Sequence, residues 1–320
     1  MNSRWNEEEV SIHGKVKLAG TVSRPEKPEG NIPAILIVPG TGDSDRDGNS
    51  SKLKMNIYKE LAEAAAKMGC AVLRYDKRGS YQSEGDPFRR GMHDLVEDAA
   101  VCLKFLKELP YVDKERVYIL GHSEGALLAP AINKRESAAG LVLLCGGAIG
   151  MTEVSEWQRE FGYKALAELK GLKGWLIKKL RLVETAKKKN DKLIAKMLQS
   201  DKEVMRLAGR KFPAKWLREH ASYDPSEDFA ELSCPVLVVG GEKDIQVPEK
   251  ALFKVKELVK GETEVSIIPE MTHILKKYSG NITPLKILKV YKEQKELPLA
   301  GEMLECIENW LLKQPKSEVI

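Results

Sequence analysis

Ser123 lies at the centre of Gly121-His122-Ser123-Glu124-Gly125, with a glycine two residues away on either side. A serine hydroxyl is a weak nucleophile at its own pKa. It becomes a strong one when a base takes its proton and a carboxylate orients that base. Both partners occur further along the chain. Asp244 ends Gly240-Gly241-Glu242-Lys243-Asp244, after the apolar run Pro235 to Val239, and His273 ends Pro269-Glu270-Met271-Thr272-His273, after Glu264 to Ile268. Each stands just past the C-terminal end of a strand-like run, where open parallel sheets carry their working residues. The chemistry of such a set is acyl transfer: attack on a carbonyl, an acyl group held on the serine, and release to water.

A Gly-x-Ser-x-Gly pentapeptide alone says little, and its setting says more. The strand-like run Val117-Tyr118-Ile119-Leu120 leads into it, and the helix formers Ala126-Leu127-Leu128-Ala129 leave it. That setting predicts a sharp strand-to-helix turn whose glycines relieve crowding and expose the serine hydroxyl. Acyl transfer also needs donors for the oxyanion. Glu124, next after the nucleophile, supplies one backbone N–H, and Thr41 in the glycine-rich loop Pro39-Gly40-Thr41-Gly42 supplies the other. A phosphate-cradling role for that loop is set aside because no Gly-Lys-Ser/Thr follows it. Other histidines fit less well. His13 falls in an N-terminal hairpin, His93 begins a helix, His122 flanks the nucleophile with its side chain turned away, and His220 lies in an inserted segment. Asp76 rivals Asp244 but precedes the serine and reads as a loop-fixing residue.

The elements that must position these residues follow from hydrophobic periodicity. Val10 to Val22 alternates about Gly14 as one or two antiparallel strands. Ala34 to Val38, Ala71 to Tyr75, Arg116 to Leu120 and Gly140 to Leu144 are apolar strand runs. Helical stretches Lys54 to Met68, His93 to Leu109 and the segment through Asn133 separate them, and an amphipathic helix at Glu302 to Leu312 ends the pattern. This predicts an α/β fold with a mainly parallel central sheet and helices on both faces. Residues 151–230 break the rhythm, being rich in Lys, Leu, Ala and Glu without a strand-like run, and predict an inserted helical cap. The division is therefore 1–150 and 231–320 for the core and 151–230 for the cap. Trp157, Phe161, Leu166, Trp175, Leu176, Leu180 and Trp216 are its candidates for an acyl pocket, or for packing cap onto core.

A net charge of +5 over 320 residues excludes a dedicated nucleic-acid binder. The excess is local: Met151 to Ala230 holds 18 basic and 12 acidic residues. That basic face reads as a solvated helix surface, with peripheral contact to anionic lipid as the alternative, and no run is long enough for stable membrane insertion. Five cysteines (Cys70, Cys102, Cys145, Cys234, Cys306) show no CxxC or histidine spacing, so no metal site is expected from them. An acidic N-terminus without an apolar leader predicts a cytoplasmic protein.

Together, Pro39 to Asn49, Arg74-Tyr75-Asp76-Lys77-Arg78-Gly79 with Ser83-Glu84-Gly85, the Ser123 pentapeptide and the Asp244 and His273 contexts resemble the serine-esterase branch of the α/β-hydrolase superfamily, near the bacterial carboxylesterases and dienelactone hydrolase-like proteins. The resemblance covers Ala34 to Met151 and Ser233 to Trp310. It implies hydrolysis of small-molecule carboxylic esters of short to medium acyl length through an acyl-enzyme, without metal or cofactor. Pro39-Gly40 stands where many relatives have His-Gly, which bears on the second oxyanion donor. Two other readings stay open: the same residues acting on amide, peptide or thioester bonds, and a catalytically silent fold that binds lipid or a partner.

Overall fold

The structure, a computed structural model, describes residues 5–28 and 30–315; the acidic N-terminal stretch begins outside them, at 1–4. A hairpin of β1 (Trp5–His13) and β2 (Lys17–Pro25) leads into β3 (Ile32–Val38), α1 (Ile57–Lys67), β4 (Ala71–Tyr75), α2 (Met92–Lys107), β5 (Val112–His122), α3 (Glu124–Arg135) and β6 (Gly140–Leu144). An insertion follows, made of α4 (Met151–Ala167), α5 (Gly171–Lys179), α6 (Leu182–Leu198), β7 (Val204–Leu207), β8 (Arg210–Pro213), α7 (Ala214–Ser222) and α8 (Pro225–Glu231). The chain then returns as β9 (Val236–Gly241), α9 (Lys250–Leu258), β10 (Thr263–Ile268), α10 (Ile287–Glu293) and α11 (Gly301–Lys313).

Eight strands form one sheet in the order β1-β2-β4-β3-β5-β6-β9-β10, antiparallel at the β1-β2-β4 edge and parallel from β4 to β10. Alternation along the buried strands makes two cores. Leu36, Ile119, Leu143 and Val238 face α2, α3 and α9, whereas Ile37, Leu120, Val142 and Leu237 face α1 and α11. Strands covered on both faces must be apolar at every position, which is why these runs are continuous rather than alternating. The parallel arrangement brings the C-terminal ends of β5, β9 and β10 to one edge of the sheet, and the turns carrying Ser123, Asp244 and His273 leave from there.

The insertion is not helical throughout. β7 and β8 pair through a tight turn at Ala208 (φ 48°) and Gly209 (φ 75°), both left-handed. Two consecutive positive φ values suit a primed hairpin turn. The sequence hides it, because alanine is not a residue that advertises a positive φ and the strands are half exposed. Polar contacts seat the insertion on the core: Lys215 Nζ donates to Asp94 of α2 (2.7 Å), Glu219 accepts from the His93 N–H (3.0 Å), and Lys250 pairs with Glu153 (2.6 Å).

A Cβ added at Gly125 would lie 2.1 Å from the Val38 carbonyl oxygen, whereas one at Gly162 on α4 would meet nothing within 4 Å. Gly125→Ala is therefore expected to destabilise the fold by about 3 kcal/mol, through forced separation of α3 from β3. Gly162→Ala should stabilise it by about 0.5 kcal/mol, by restricting the unfolded chain. Urea unfolding of the two variants side by side measures both.

Candidate active site

Ser123 joins the end of β5 to the start of α3 at φ 55°, ψ −114°, a conformation that side chains rarely adopt. It is held there from several sides. The Ser123 N–H donates to Leu144 O (2.9 Å), and its own carbonyl accepts from the N–H groups of Ala126 (3.1 Å) and Leu127 (3.2 Å). A Cβ on Gly121 would lie 2.4 Å from Gly125 O, and one on Gly146 would lie 2.5 Å from Ser123 O. Only glycine fits at these two contacts, so the strained turn is set by backbone packed on backbone.

His273 Nε2 lies 3.0 Å from Ser123 Oγ, and His273 Nδ1 lies 2.8 Å from Asp244 Oδ2. The other carboxylate oxygen, Asp244 Oδ1, accepts from the N–H groups of Gln246 (2.7 Å) and Val247 (3.2 Å), so this side chain has a fixed orientation. A carboxylate only accepts; Nδ1 therefore carries the proton, and Nε2 presents its lone pair to the serine hydroxyl. The loop bearing His273 is braced in turn. Thr272 N–H donates to Lys276 O (3.0 Å), buried Gln294 donates to Lys276 O (2.8 Å), and buried Lys276 pairs with Glu60 of α1 (2.9 Å).

His122 is not turned away from this machinery. Its Nε2 donates to the His273 carbonyl (2.8 Å), which leaves Nδ1 as acceptor for the Tyr58 hydroxyl (2.9 Å), and that hydroxyl accepts from the Gly40 N–H (2.9 Å). Burial, with the proximity of the His273 ring, lowers the His122 pKa to about 3 and keeps it neutral. His220, set aside on sequence because it lies in the insertion, reaches the Ser123 turn. His220 Nε2 lies 2.9 Å from Glu124 Oε1, which also accepts from Trp216 Nε1 at 2.7 Å. Burial opposes charge on Glu124, but these donors and the nearby Lys77 outweigh it and hold its pKa at about 2. No spacing rule links residues 124 and 220, so sequence carries no signal for this contact.

The Ser123 hydroxyl opens on a cavity of ≈ 370 Å³, whose wall includes Thr41, Glu124, Met55, Ile57, Leu127, Ile149, Val154 and Trp216. Of the seven apolar candidates for an acyl pocket or for packing onto the core, Trp216 alone is in this wall. Trp157 and Phe161 stack on each other at 5.7 Å, and Trp175 stays 53% exposed under the Lys179 ammonium. Helical spacing names a face but not what it meets. Asp76 accepts from the N–H groups of Arg46 (2.7 Å) and Gln82 (3.2 Å), the loop-fixing role expected of it. Cys145, Asp244 and His273 are grouped closely enough to suggest a metal site, within 4.8 Å. Burial pushes the Cys145 thiol well up, so it stays protonated and bonded to Asp244, and the donor set is committed to hydrogen bonds.

A family model described as serine aminopeptidase, S33, matches residues 52–277. Esterase EstD of Thermotoga maritima is 30% identical over 312 residues, spanning 97% of this chain and 68% of that protein. Among solved structures, Est1E from Butyrivibrio proteoclasticus with ferulic acid bound superposes with a TM-score of 0.59 at 20% identity, over 93% of this chain and 99% of that one. A thermophilic esterase from Thermogutta terrifontis with malate bound gives 0.55 at 19% identity, over 97% and 100%. These two likenesses are of fold.

The buried groups around the site set an acid limit to stability. Below pH 6.5 the unfolded chain takes up a proton at His122 that the folded chain refuses until about 3, and below 4.5 it takes one up at Glu124 that the folded chain refuses until about 2. The contribution of both is complete above pH 6.5 and is lost as pH falls, more steeply below 4.5. His122→Gln should remove the loss between about pH 6.5 and 4.5 and make the fall below 4.5 shallower, leaving the Glu124 contribution, as read from urea midpoints from about pH 7 to 3.

Proposed function

The chain belongs to the S33 family of serine hydrolases within the α/β-hydrolase fold, and on that premise we propose that it is a carboxylesterase with Ser123 as nucleophile, His273 as general base and acid, and Asp244 as the orienting carboxylate. The observation that carries the reading is the unbroken hydrogen-bond path from Ser123 Oγ through His273 to Asp244, ending at an apolar-walled cavity. Ser123 Oγ attacks the ester carbonyl as His273 Nε2 takes its proton. His273 then gives that proton to the departing alcohol, leaving an acyl-enzyme, and afterwards activates water to release the acid. Asp244 keeps the Nδ1 tautomer and stabilises the imidazolium as it forms. The backbone N–H groups of Thr41 and Glu124 receive the oxyanion.

The cavity supports a short to medium acyl group, being near the lower end of the roughly 300–1,000 Å³ usual for small-molecule sites. The insertion serves as the cap over it, since Met151, Val154, Ser155 and Gln158 of α4 and Trp216 of α7 form part of its wall. The family's description names an aminopeptidase, and a substrate α-ammonium calls for an acidic partner in the pocket. Glu124 is the sole acid in this wall among the described residues, and Trp216 and His220 already engage it. That favours esters over aminoacyl amides.

Hydrolysis of p-nitrophenyl esters across an acyl-length series tests this. Wild type is expected to turn over short and medium esters and to lose activity on long ones. Ser123→Ala should lower kcat by about a thousandfold or more, and Asp244→Asn by about 10⁴-fold through the wrong imidazole tautomer. Turnover that survives Ser123→Ala, or faster cleavage of the matching aminoacyl amide, would overturn the assignment.

A further inference from the structure

Two buried cations flank the loop that carries Thr41. Lys77 is 2% exposed and Arg90 9%, and among the described residues no carboxylate forms an ion pair with either. The acids they sense, Glu124 and Asp43 for both and Asp98 for Arg90, are committed elsewhere, Glu124 to Trp216 and His220, Asp43 to the Ser80 hydroxyl and Asp98 to Arg78. A buried cation without a counter-ion is costly, and here both are directed at backbone carbonyls. Lys77 Nζ donates to Gly40 O at 2.6 Å, and Arg90 donates to Gly42 O at 3.4 Å, to Ser80 Oγ at 2.9 Å and to Arg78 O at 3.0 Å.

The Gly40 carbonyl and the Thr41 N–H belong to one peptide plane, and in a trans peptide they point in opposite directions. Fixing the oxygen on Lys77 therefore fixes where the N–H points. The same loop is pinned on its other side by the Gly40 N–H to Tyr58 contact (2.9 Å), and a Cβ on Gly40 would lie 3.1 Å from Ser123 Cβ, so this peptide abuts the nucleophile. An ammonium on a carbonyl oxygen also draws electron density from the amide and strengthens its N–H as a donor, with little solvent screening in the interior.

We propose that Lys77 is a positioning residue for acyl transfer: its ammonium, bound to the Gly40 carbonyl, aims and polarises the Thr41 N–H toward the oxyanion on the substrate, while Arg90 holds the far side of the same loop. This rests on the esterase reading of Ser123. In the step concerned, Ser123 Oγ bonds to the carbonyl carbon, its proton goes to His273 Nε2, and the carbonyl π pair becomes the oxyanion. Lys77 exchanges no proton. The charged groups that surround it are Glu124 from α3, Arg90 from the segment before α2 and Asp43 from the loop after β3.

Lys77→Met separates this from a structural role. Its kcat on the best p-nitrophenyl ester should fall about 100-fold with KM within about threefold of wild type, and affinity for a trifluoromethyl ketone bearing the same acyl group should fall in parallel. Burial lowers the Lys77 pKa to about 8, so wild-type kcat should descend above that pH while the variant's stays flat. A variant kcat within threefold of wild type, or a loss confined to KM, overturns the proposal. Should Lys77→Met fail to fold, a wild-type kcat that stays level from about pH 7 to 10 overturns it instead. Failure of the esterase reading looks different: wild type itself then shows neither turnover nor labelling of Ser123 by a fluorophosphonate.

Discussion

Backbone packed against backbone at the β5–α3 junction constrains everything around it. Ser123 is held at φ 55° because Gly121, Gly125 and Gly146 let the start of α3 press against the ends of β3 and β6. The strain is local, and the surrounding sheet over-determines it: the parallel ladder pairs Val38 with Gly121 and His122 with Leu144. Because the serine hydroxyl is placed by this turn rather than by side-chain packing, the residues that meet it need only be brought to one edge of the sheet. Parallel strands do that by construction, since each returns through a helix and ends on the same side.

Around that turn the interior is unusually polar for a buried region. Asp244, His122, Glu124, Lys77 and Lys276 are shielded from water, and each has named partners. Leaving any of them unpaired would cost more than the bond itself contributes, so the network resists partial disruption. Its charge states are set by burial in different ways. His122 stays neutral because the His273 carbonyl and Asp244 offset too little of its desolvation, whereas Glu124 stays charged because two donors and an ammonium outweigh it.

The insertion combines two kinds of contact. At its periphery it meets the core through charged pairs, Lys215 with Asp94 and Lys250 with Glu153, which are part-exposed and individually weak. At its centre α7 sends Trp216 and His220 into the interior, where they hold the carboxylate of Glu124, next to Ser123. The seat of the insertion and the Ser123 turn are thereby one hydrogen-bonded unit, although nearly a hundred residues separate them in the chain.

Periodicity alone determined the order of the core strands and helices and the doubly covered parallel sheet. Those features are local: an apolar run flanked by turn residues has one consistent reading. The pentapeptide, Asp244 and His273 were legible for the same reason, each standing at the end of such a run. The β7–β8 hairpin was not, because an Ala208-Gly209 turn between half-exposed strands lacks a strong local signal. Nor was the identity of the pocket wall, since Trp157 and Trp216 are equally plausible on a helical wheel and only docking decides which faces the cavity. The engagement of His122, His220 and Lys77 belongs to the same class. Each depends on distances between segments remote in sequence, and a side chain's partners across space are fixed by packing, which no pattern within its own segment encodes.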